Sequence, residues 1–142
     1  MSFALPDPAT TFGARIAARL NDERIIWLVT TSADGTPQPN PVWFLWEGAS
    51  FLIYSLPNAA RIAHVRHNPH VALHFNSDRG GDDIIVFNGI VSELPDMPPA
   101  DQHPAYLDRY RERIDRNFGG PAAFAARYSL ALRVTPSKVR GY

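Results

Sequence analysis

An arginine near the start of a short helix is the residue of this sequence whose type and position best suit a chemical role. Residues 51–55 are typical of a strand, and the proline and asparagine at 57–58 break that strand. We predict a helix that begins at Asn58 and places Arg61 one turn in. Free N–H groups and the helix dipole favour negative charge at such a start, which suits binding of a phosphate. A solvated surface helix that carries arginines for solubility is the alternative interpretation.

The remaining residues of this helix divide into an apolar side and a basic side. Ile62 and Val65 recur at helical spacing and are expected to pack inward, whereas Arg66 lies one turn further along than Arg61. Asn68 and Pro69 end the helix before the next strand. An anion held at Arg61 would therefore lie at the helix start, and Arg66 would act only as a more distant charge.

The histidines do not form a convincing metal site. His70 and His74 are four residues apart on a predicted strand, which separates them by roughly 13 Å. His64 and His67 are one helical turn apart, but no carboxylate lies near them in the sequence and arginines surround them. We therefore predict no metal ligand among these side chains or at His103.

No side chain in the sequence forms a recognisable nucleophilic centre. The chain has no cysteine and no Gly-x-Ser-x-Gly turn between a strand and a helix. No catalytic residue is therefore assigned. The combination of a small sheet, aromatic residues and an anion-binding turn favours a protein that binds a cofactor with its own chemistry.

Three prolines precede an aromatic strand, which we predict over Asn40–Trp46. Pro37, Pro39 and Pro41 cannot donate main-chain hydrogen bonds, so the start of this strand must lie at a sheet edge or a bulge. Neighbouring main-chain groups would then be free to meet the edge of a planar cofactor. An ordinary edge strand explains the same pattern equally well.

Length and composition limit the remaining possibilities. The 142 residues are 45% hydrophobic and 11% aromatic, which indicates one domain over residues 1–142 with a loose lead-in at residues 1–9. Fourteen basic residues balance fourteen acidic ones, so nothing indicates a nucleic-acid partner or an acidic membrane surface. No signal peptide and no membrane-spanning run is found, and we expect a cytoplasmic protein.

The first half of the chain is predicted to hold one helix and the start of a strand meander. The helix is capped by Thr10 or Thr11 and ends near Asn21. A strand over Ile25–Thr31 is joined by a glycine-containing turn to the aromatic strand, and strand 51–55 follows. Three strands wound so tightly favour a barrel.

The second half is predicted to complete the sheet and to add helices. Strands are expected at residues 70–75 and 84–93, and Asn88-Gly89 is interpreted as a bulge within the second of them. Helices are predicted over Tyr106–Phe118 and from Pro121 to about Arg127. The last strand is predicted over residues 128–134, and residues 135–142 form a tail.

Four segments resemble a known family. They are TTSADGTPQPNPVWFLWEG, FLIYSLPNAARIAHVRHNPHVALHF, IIVFNGIVSEL and LRVTPSKVRGY, which cover most of the chain. Their order is similar to that of the pyridoxamine 5'-phosphate oxidase-like, FMN-binding split-barrel superfamily, and most similar to its actinobacterial flavin/deazaflavin oxidoreductases that use coenzyme F420. The resemblance implies a mainly β protein with flanking helices, built as a six-stranded antiparallel split β-barrel. It also implies a homodimer with two cofactor sites at the interface.

The resemblance also implies a set of cofactor-binding residues. Arg61 falls on the basic residue that holds the cofactor phosphate, and Ala60 stands where many flavin-binding members have a second basic residue. The terminal strand would bring Arg140 to the acidic part of the ligand and Tyr142 to its ring. The full set is Pro41, Val42, Trp43, Phe44, Tyr54, Ser55, Asn58, Arg61, Ile62, Arg140 and Tyr142.

The activity implied by the resemblance is that of an F420-dependent oxidoreductase, which transfers a hydride between the deazaflavin and a small conjugated substrate. Two alternatives remain open. One is an FMN-binding oxidoreductase of the same fold. The other is a non-catalytic protein that binds a flavin, haem or another tetrapyrrole.

Overall fold

The computed structural model describes residues 3–142, and a curled antiparallel sheet forms its centre. Met1 and Ser2, the first residues of the predicted lead-in, lie outside the described part. The strands in chain order are β1 Ile25–Thr31, β2 Pro37–Trp43, β3 Leu45–Trp46, β4 Phe51–Ser55, β5 His70–His74, β6 Ile85–Glu93 and β7 Leu130–Gly141. The α-helices are α1 Thr11–Asp22, α2 Ala60–His67, α3 Pro104–Phe118 and α4 Pro121–Arg127, and a short 3-10 helix spans Ala100–Gln102.

The strand order, β2-β1-β5-β6-β7-β4-β3, confirms the predicted mainly β architecture with flanking helices. All neighbouring strands are antiparallel. The two edge strands, β2 and β3, follow each other in the chain with Phe44 alone between them. The sheet therefore curls until its two edges approach each other, which is the arrangement of a split barrel.

The strand predicted over Asn40–Trp46 is wrong in its bounds, and the sheet formed within residues 3–142 consequently has seven strands instead of six. Pairing with β1 begins at Pro37, three residues earlier than predicted, and the strand is interrupted at Phe44. Alternate residues of an antiparallel strand turn their N–H groups to the same side. The alternating prolines therefore place their donor-free nitrogens on one side of β2, as an edge strand tolerates.

The interruption at Phe44 has its cause in α3. The Phe44 N–H donates to the hydroxyl oxygen of Tyr110 over 2.8 Å, and that hydroxyl lies 2.6 Å from the Phe44 carbonyl oxygen. It also lies 2.8 Å from the carbonyl oxygen of Arg24. Both main-chain groups of Phe44 thus meet a side chain instead of a neighbouring strand, which separates β2 from β3.

We expect Tyr110→Phe to lower the free energy of unfolding by about 1–3 kcal/mol, because it leaves the buried Phe44 main chain without its partner. Tyr106, one turn earlier on α3, is the matched control. Its hydroxyl is buried without a hydrogen-bond partner among the described residues, so Tyr106→Phe should be neutral or stabilising. Urea unfolding of both variants measures the difference. Equal losses in the two variants would contradict this role of Tyr110.

The first helix confirms its predicted position. The Thr10 hydroxyl caps α1 by accepting from the Gly13 N–H over 3.0 Å. Ile16 and Leu20 form its buried face, at 0% and 4% exposure. Residues 3–9 precede the helix without regular structure, and the side chains of Phe3 and Leu5 pack against the core.

Helices α2 and α3 begin at other residues than predicted. The predicted start of α2 at Asn58 is wrong: the helix begins at Ala60, and Ala59 occupies the cap position without a side-chain hydrogen bond. Asn58 is instead an exposed residue of the preceding turn, a role that asparagine commonly takes. Helix α3 begins at Pro104, since proline suits a first helical position.

The bulge predicted at Asn88-Gly89 is confirmed, because the register between β6 and β7 shifts there. The prediction that the last strand ends at Val134 is wrong. Strand β7 continues to Gly141 because residues on both sides of the bulge pair with β6, up to Gly141 opposite Ile85. The predicted tail is thus largely strand.

Apolar side chains cover both faces of β4, all five residues of which are buried. Phe51 and Ile53 belong to a cluster with α1 and α2, whereas Leu52 and Tyr54 belong to a second cluster with α3 and α4. The second cluster brings α3 and α4 over the residues that form the site described below. Within residues 3–142, no helix combines the length and apolarity needed to cross a membrane.

Candidate functional site

A pocket of about 410 Å³ lies where α3 and α4 approach β2 and β4. Its volume falls in the range of small-molecule sites, about 300–1,000 Å³. Five of the predicted cofactor-binding residues line it: Pro41, Val42, Trp43, Tyr54 and Arg61. The other lining residues are Ile25, Leu56, Ala59, Tyr106, Arg113, Asn117, Phe118, Phe124 and Tyr128.

Arg61 is the half-buried cation of this pocket. Burial lowers the pKa of its guanidinium, and the nearby Tyr128 acts in the opposite direction. Its Nη1 donates to the Ser55 hydroxyl over 2.9 Å. Within residues 3–142 no carboxylate lies at salt-bridge distance from Arg61, so its charge is partly desolvated without a counter-ion. Such a group attracts an anion.

Ser55 takes part in the site indirectly. Its side chain is fully buried, and its hydroxyl accepts from Arg61 and donates to the Leu56 carbonyl oxygen over 3.0 Å. Because this hydroxyl has no exposed surface, a ligand that fills the pocket meets the arginine and not the serine. Ser55 therefore positions Arg61 at the wall of the pocket.

Tyr54 contributes its ring to the pocket and not its hydroxyl. The hydroxyl donates to the Pro98 carbonyl oxygen over 2.7 Å. Burial, together with the negative charges of Glu47 and Asp101, raises the pKa of Tyr54 to about 12. The phenol therefore stays protonated at neutral pH and is already engaged with the chain.

Aromatic rings form the apolar wall. The Trp43 ring stacks on Tyr110 with a centroid distance of 4.6 Å and an angle of 2° between the planes, and on Phe124 at 5.4 Å. The Tyr128 ring stacks in turn on Phe124, with a centroid distance of 4.6 Å. Phe124 is 2% exposed, so a ligand in the pocket meets the half-buried rings of Trp43 and Tyr128, which are held in place by this stacking.

Arg113 and Asn117 of α3 were not predicted from the sequence, although both line the pocket. They are four residues apart and continue the stripe that begins with the buried Tyr106 and Tyr110. Polar side chains that continue an apolar helical stripe are the signal that would have identified them.

Comparisons with known proteins identify the family. Residues 12–142 match the family described as "Pyridoxamine 5'-phosphate oxidase". The chain belongs to this family. The described fold agrees with that membership, and the resemblance inferred from the sequence is confirmed. No curated protein sequence matches the chain significantly.

Solved structures of other proteins share the fold of this family member. An F420 reductase is 23% identical, with a TM-score of 0.66 over 87% of this chain and 94% of its own. A FAD-binding protein from Mesorhizobium loti is 19% identical, with a TM-score of 0.64 over 89% and 88%. HutZ, a heme storage protein from Vibrio cholerae, is 12% identical, with a TM-score of 0.63 over 93% and 95%. At these identities the likeness concerns the fold alone.

The remaining predicted residues of this family member do not line the pocket. Phe44 and Ile62 are core residues, at 0% and 2% exposure, and the main chain of Phe44 is engaged by Tyr110. Asn58 is exposed in the turn before α2. Arg140 pairs with Val86 at the distant end of β7, and Tyr142 exchanges main-chain hydrogen bonds with Ile84.

Two histidines of this family member contact side chains outside the pocket. His64 Nδ1 lies 2.8 Å from the Thr30 hydroxyl oxygen, and His74 stacks on Trp27 at 6.2 Å between ring centroids. In the part of the chain that the structure describes, no group of three or more His, Cys, Asp or Glu residues could hold a metal ion. None of the pocket-lining residues in that part is a histidine.

Proposed function

We propose that this protein is an oxidoreductase that binds coenzyme F420 in the pocket between α3, α4 and the sheet. The observation that carries the proposal is Arg61, a half-buried guanidinium with no carboxylate partner among the described residues, on the wall of an aromatic pocket. A planar ring with a phosphate on its side chain satisfies both features. One structural neighbour is an F420 reductase, which supports this chemistry.

The residues of the pocket fit such a group. Arg61 provides a charge-assisted donor for phosphate, and its fork can make two parallel hydrogen bonds. The first turn of α2 has no side-chain cap, so its N–H groups add partial positive charge beside the arginine. The half-buried rings of Trp43 and Tyr128 give the ring system apolar surface to pack against.

The chain is expected to position its ligands and not to react itself. The deazaflavin, when bound, supplies the hydride chemistry. Trp43 and Tyr54 shape the apolar part of the pocket and exclude water, while Ser55 keeps Arg61 at its wall. Because Tyr54 stays protonated and engaged with Pro98, we assign it no proton transfer. The acceptor we propose is a small conjugated molecule that stacks in the remaining space.

An FMN-binding oxidoreductase is the second candidate. It uses the same phosphate contact at Arg61, and the FAD-binding neighbour shows that the fold accommodates flavins. Ala60 precedes Arg61 at the position where many flavin-binding members have a second basic residue, which favours F420 over FMN. A haem-binding role is supported by the heme storage neighbour but not by the pocket, which offers no histidine among its described lining residues.

Titration of the purified, unliganded protein with F420, FMN and haem tests the proposal. We expect tight F420 binding by fluorescence, weaker FMN binding, and oxidation of reduced F420 when a quinone such as menadione is added. A protein that is purified yellow with tightly bound FMN and does not bind F420 would exclude the first candidate in favour of the second. Haem binding without turnover of either cofactor would favour a storage role.

We further propose that the protein is a homodimer, as its family resemblance implies. Ile25, which lines the pocket, and Ile90 are exposed apolar side chains, at 39% and 46%. A second copy of the chain that packs on these side chains would remove them from water. Sedimentation at micromolar concentration should give twice the mass of the 15.8 kDa chain. A monomer at that concentration would exclude the dimer.

A further inference from the structure

We propose that Arg113 and Asn117 form a second anion-binding position in the pocket, which takes a carboxylate or phosphate other than the one held by Arg61. The inference rests on the proposed function in one respect, since both positions belong to the same pocket. It assigns to the ligands of that pocket two anionic groups, one near α2 and one near α3. The second group belongs either to an acidic tail of the cofactor or to the acceptor.

The arginines of α3 are used in two ways. Arg111 and Arg116 pair with acidic residues of their own helix, Arg111 with Asp115 over 3.4 Å and Arg116 with Glu112. Arg113 lies between them and lines the pocket, and it has no salt-bridge partner among the described residues. Arg109, the fourth arginine of this helix, donates to the main-chain carbonyl oxygens of Leu20 and Asn21. Arg113 is therefore the one α3 arginine without a hydrogen-bonded partner among the described residues, and it is free to bind an external anion.

The surroundings of Arg113 reinforce this assignment. Asn117 lies one turn further along the pocket-lining stripe of α3, and its amide N–H₂ can donate to the same anion. The pocket has two arginines and no acidic residue among its described lining residues. Two arginines and no carboxylate around one pocket give it a positive potential, which favours ligands with two negative groups.

The two arginines differ in depth, which gives them different roles. Arg61 is half-buried and tied to Ser55, whereas Arg113 and Asn117 are exposed. An anion at Arg61 is therefore partly desolvated, while an anion at Arg113 stays in contact with water. A group of the ligand that reaches the mouth of the pocket, such as the carboxylate of an aromatic acid, suits the outer position.

Binding of 2-naphthoate and its neutral analogue 2-naphthamide to the full-length protein, followed by NMR, tests the second position without any cofactor. We expect the wild-type protein to bind the carboxylate at least about fivefold more tightly than the amide, as one exposed charge-assisted contact permits. Arg113→Ala should reduce this difference, and Arg61→Ala should remove the part that remains, because Arg61 also binds anions in this pocket. Arg111→Ala is the matched control on the same helix and should retain the full difference. Equal affinity for the two probes in the wild type, or a difference that Arg113→Ala leaves unreduced, would overturn the proposal.

Cofactor binding by the same variants separates the two sources of the anion. If Arg113→Ala weakens F420 binding about fivefold and leaves FMN binding unchanged, the second position binds the acidic tail that F420 has and FMN lacks. If neither cofactor is affected while 2-naphthoate binding is lost, the position serves the acceptor. A wild-type protein that binds 2-naphthoate through Arg113 but binds neither F420 nor FMN would refute the proposed function and leave the second position standing.

Discussion

Replacing Arg61 by alanine should weaken cofactor binding by roughly 10- to 150-fold, the largest functional effect that we expect from a single substitution. The change removes a charge-assisted contact to the phosphate, which is typically worth about 1.5–3 kcal/mol. The free energy of unfolding should change little, because the unliganded protein leaves this partly desolvated charge without a counter-ion among the described residues. Isothermal titration of F420 and of FMN, with urea unfolding of the same samples, measures both quantities.

Arg66 is the matched control for Arg61, since it is an arginine of the same helix outside the pocket. Its guanidinium is exposed and engaged with the Glu93 carboxylate, at 3.0 Å from Nε to Oε2 and 2.8 Å from Nη2 to Oε1. This hydrogen-bonded pair holds the pKa of Glu93 below its usual value. Arg66→Ala should therefore leave cofactor affinity nearly unchanged in 0.1 M salt. If both variants weaken cofactor binding equally and added salt removes the effect, α2 attracts anions only through its net positive charge.

Gly89→Ala should destabilise the fold by about 3 kcal/mol, the largest effect that we expect on stability. A Cβ atom at residue 89 would lie 2.7 Å from the Thr135 carbonyl oxygen and 3.0 Å from Val134 Cγ1. The first contact is with main chain and cannot be relieved by rotating a side chain, so the strands must separate locally. Chemical denaturation compared with the wild type measures the loss.

Asn88→Ala is the control for Gly89→Ala because the two residues are adjacent at the same bulge. The Asn88 side chain is exposed, and its main-chain carbonyl, which the substitution keeps, accepts from the Ser137 hydroxyl. We expect a change below about 0.5 kcal/mol. A Gly89→Ala variant as stable as Asn88→Ala would show that β6 and β7 adjust at the bulge without loss.

The bounds were predicted correctly for elements whose start, end and apolar periodicity are all marked by residues of the element or its immediate neighbours. Helix α1 has both a threonine cap and an apolar residue every fourth position, and β1 and β4 are apolar runs ended by turn residues. These signals lie within the element itself, so no distant contact is needed to interpret them. The bulge at Asn88-Gly89 belongs here too, since a glycine beside an asparagine within a strand signals it locally.

Elements whose ends depend on partners were predicted less well. The extent of β2 is decided by its position at the sheet edge, where prolines are tolerated, and its end by the Tyr110 hydroxyl from α3. Strand β7 extends to Gly141 because β6 offers pairing partners that far. Helix α2 begins at Ala60 and not at Asn58 because the preceding turn takes the asparagine. In each case the deciding group is another segment or an adjoining turn.

By itself, the sequence determined the family and, through that resemblance, the split-barrel fold. It also determined the basic residue at the start of α2, because motif order, periodicity and turn residues are properties of neighbouring positions. Only the tertiary structure decided which predicted residues share a pocket. It placed Arg61 beside Ser55, buried Phe44 and Ile62 in the core, and carried Arg140 and Tyr142 to the other end of β7. It also brought Arg113 and Asn117 to the pocket from a helix about fifty residues away in the chain. The physical reason is that convergence on a pocket depends on how separate elements pack, and local sequence patterns do not encode that packing.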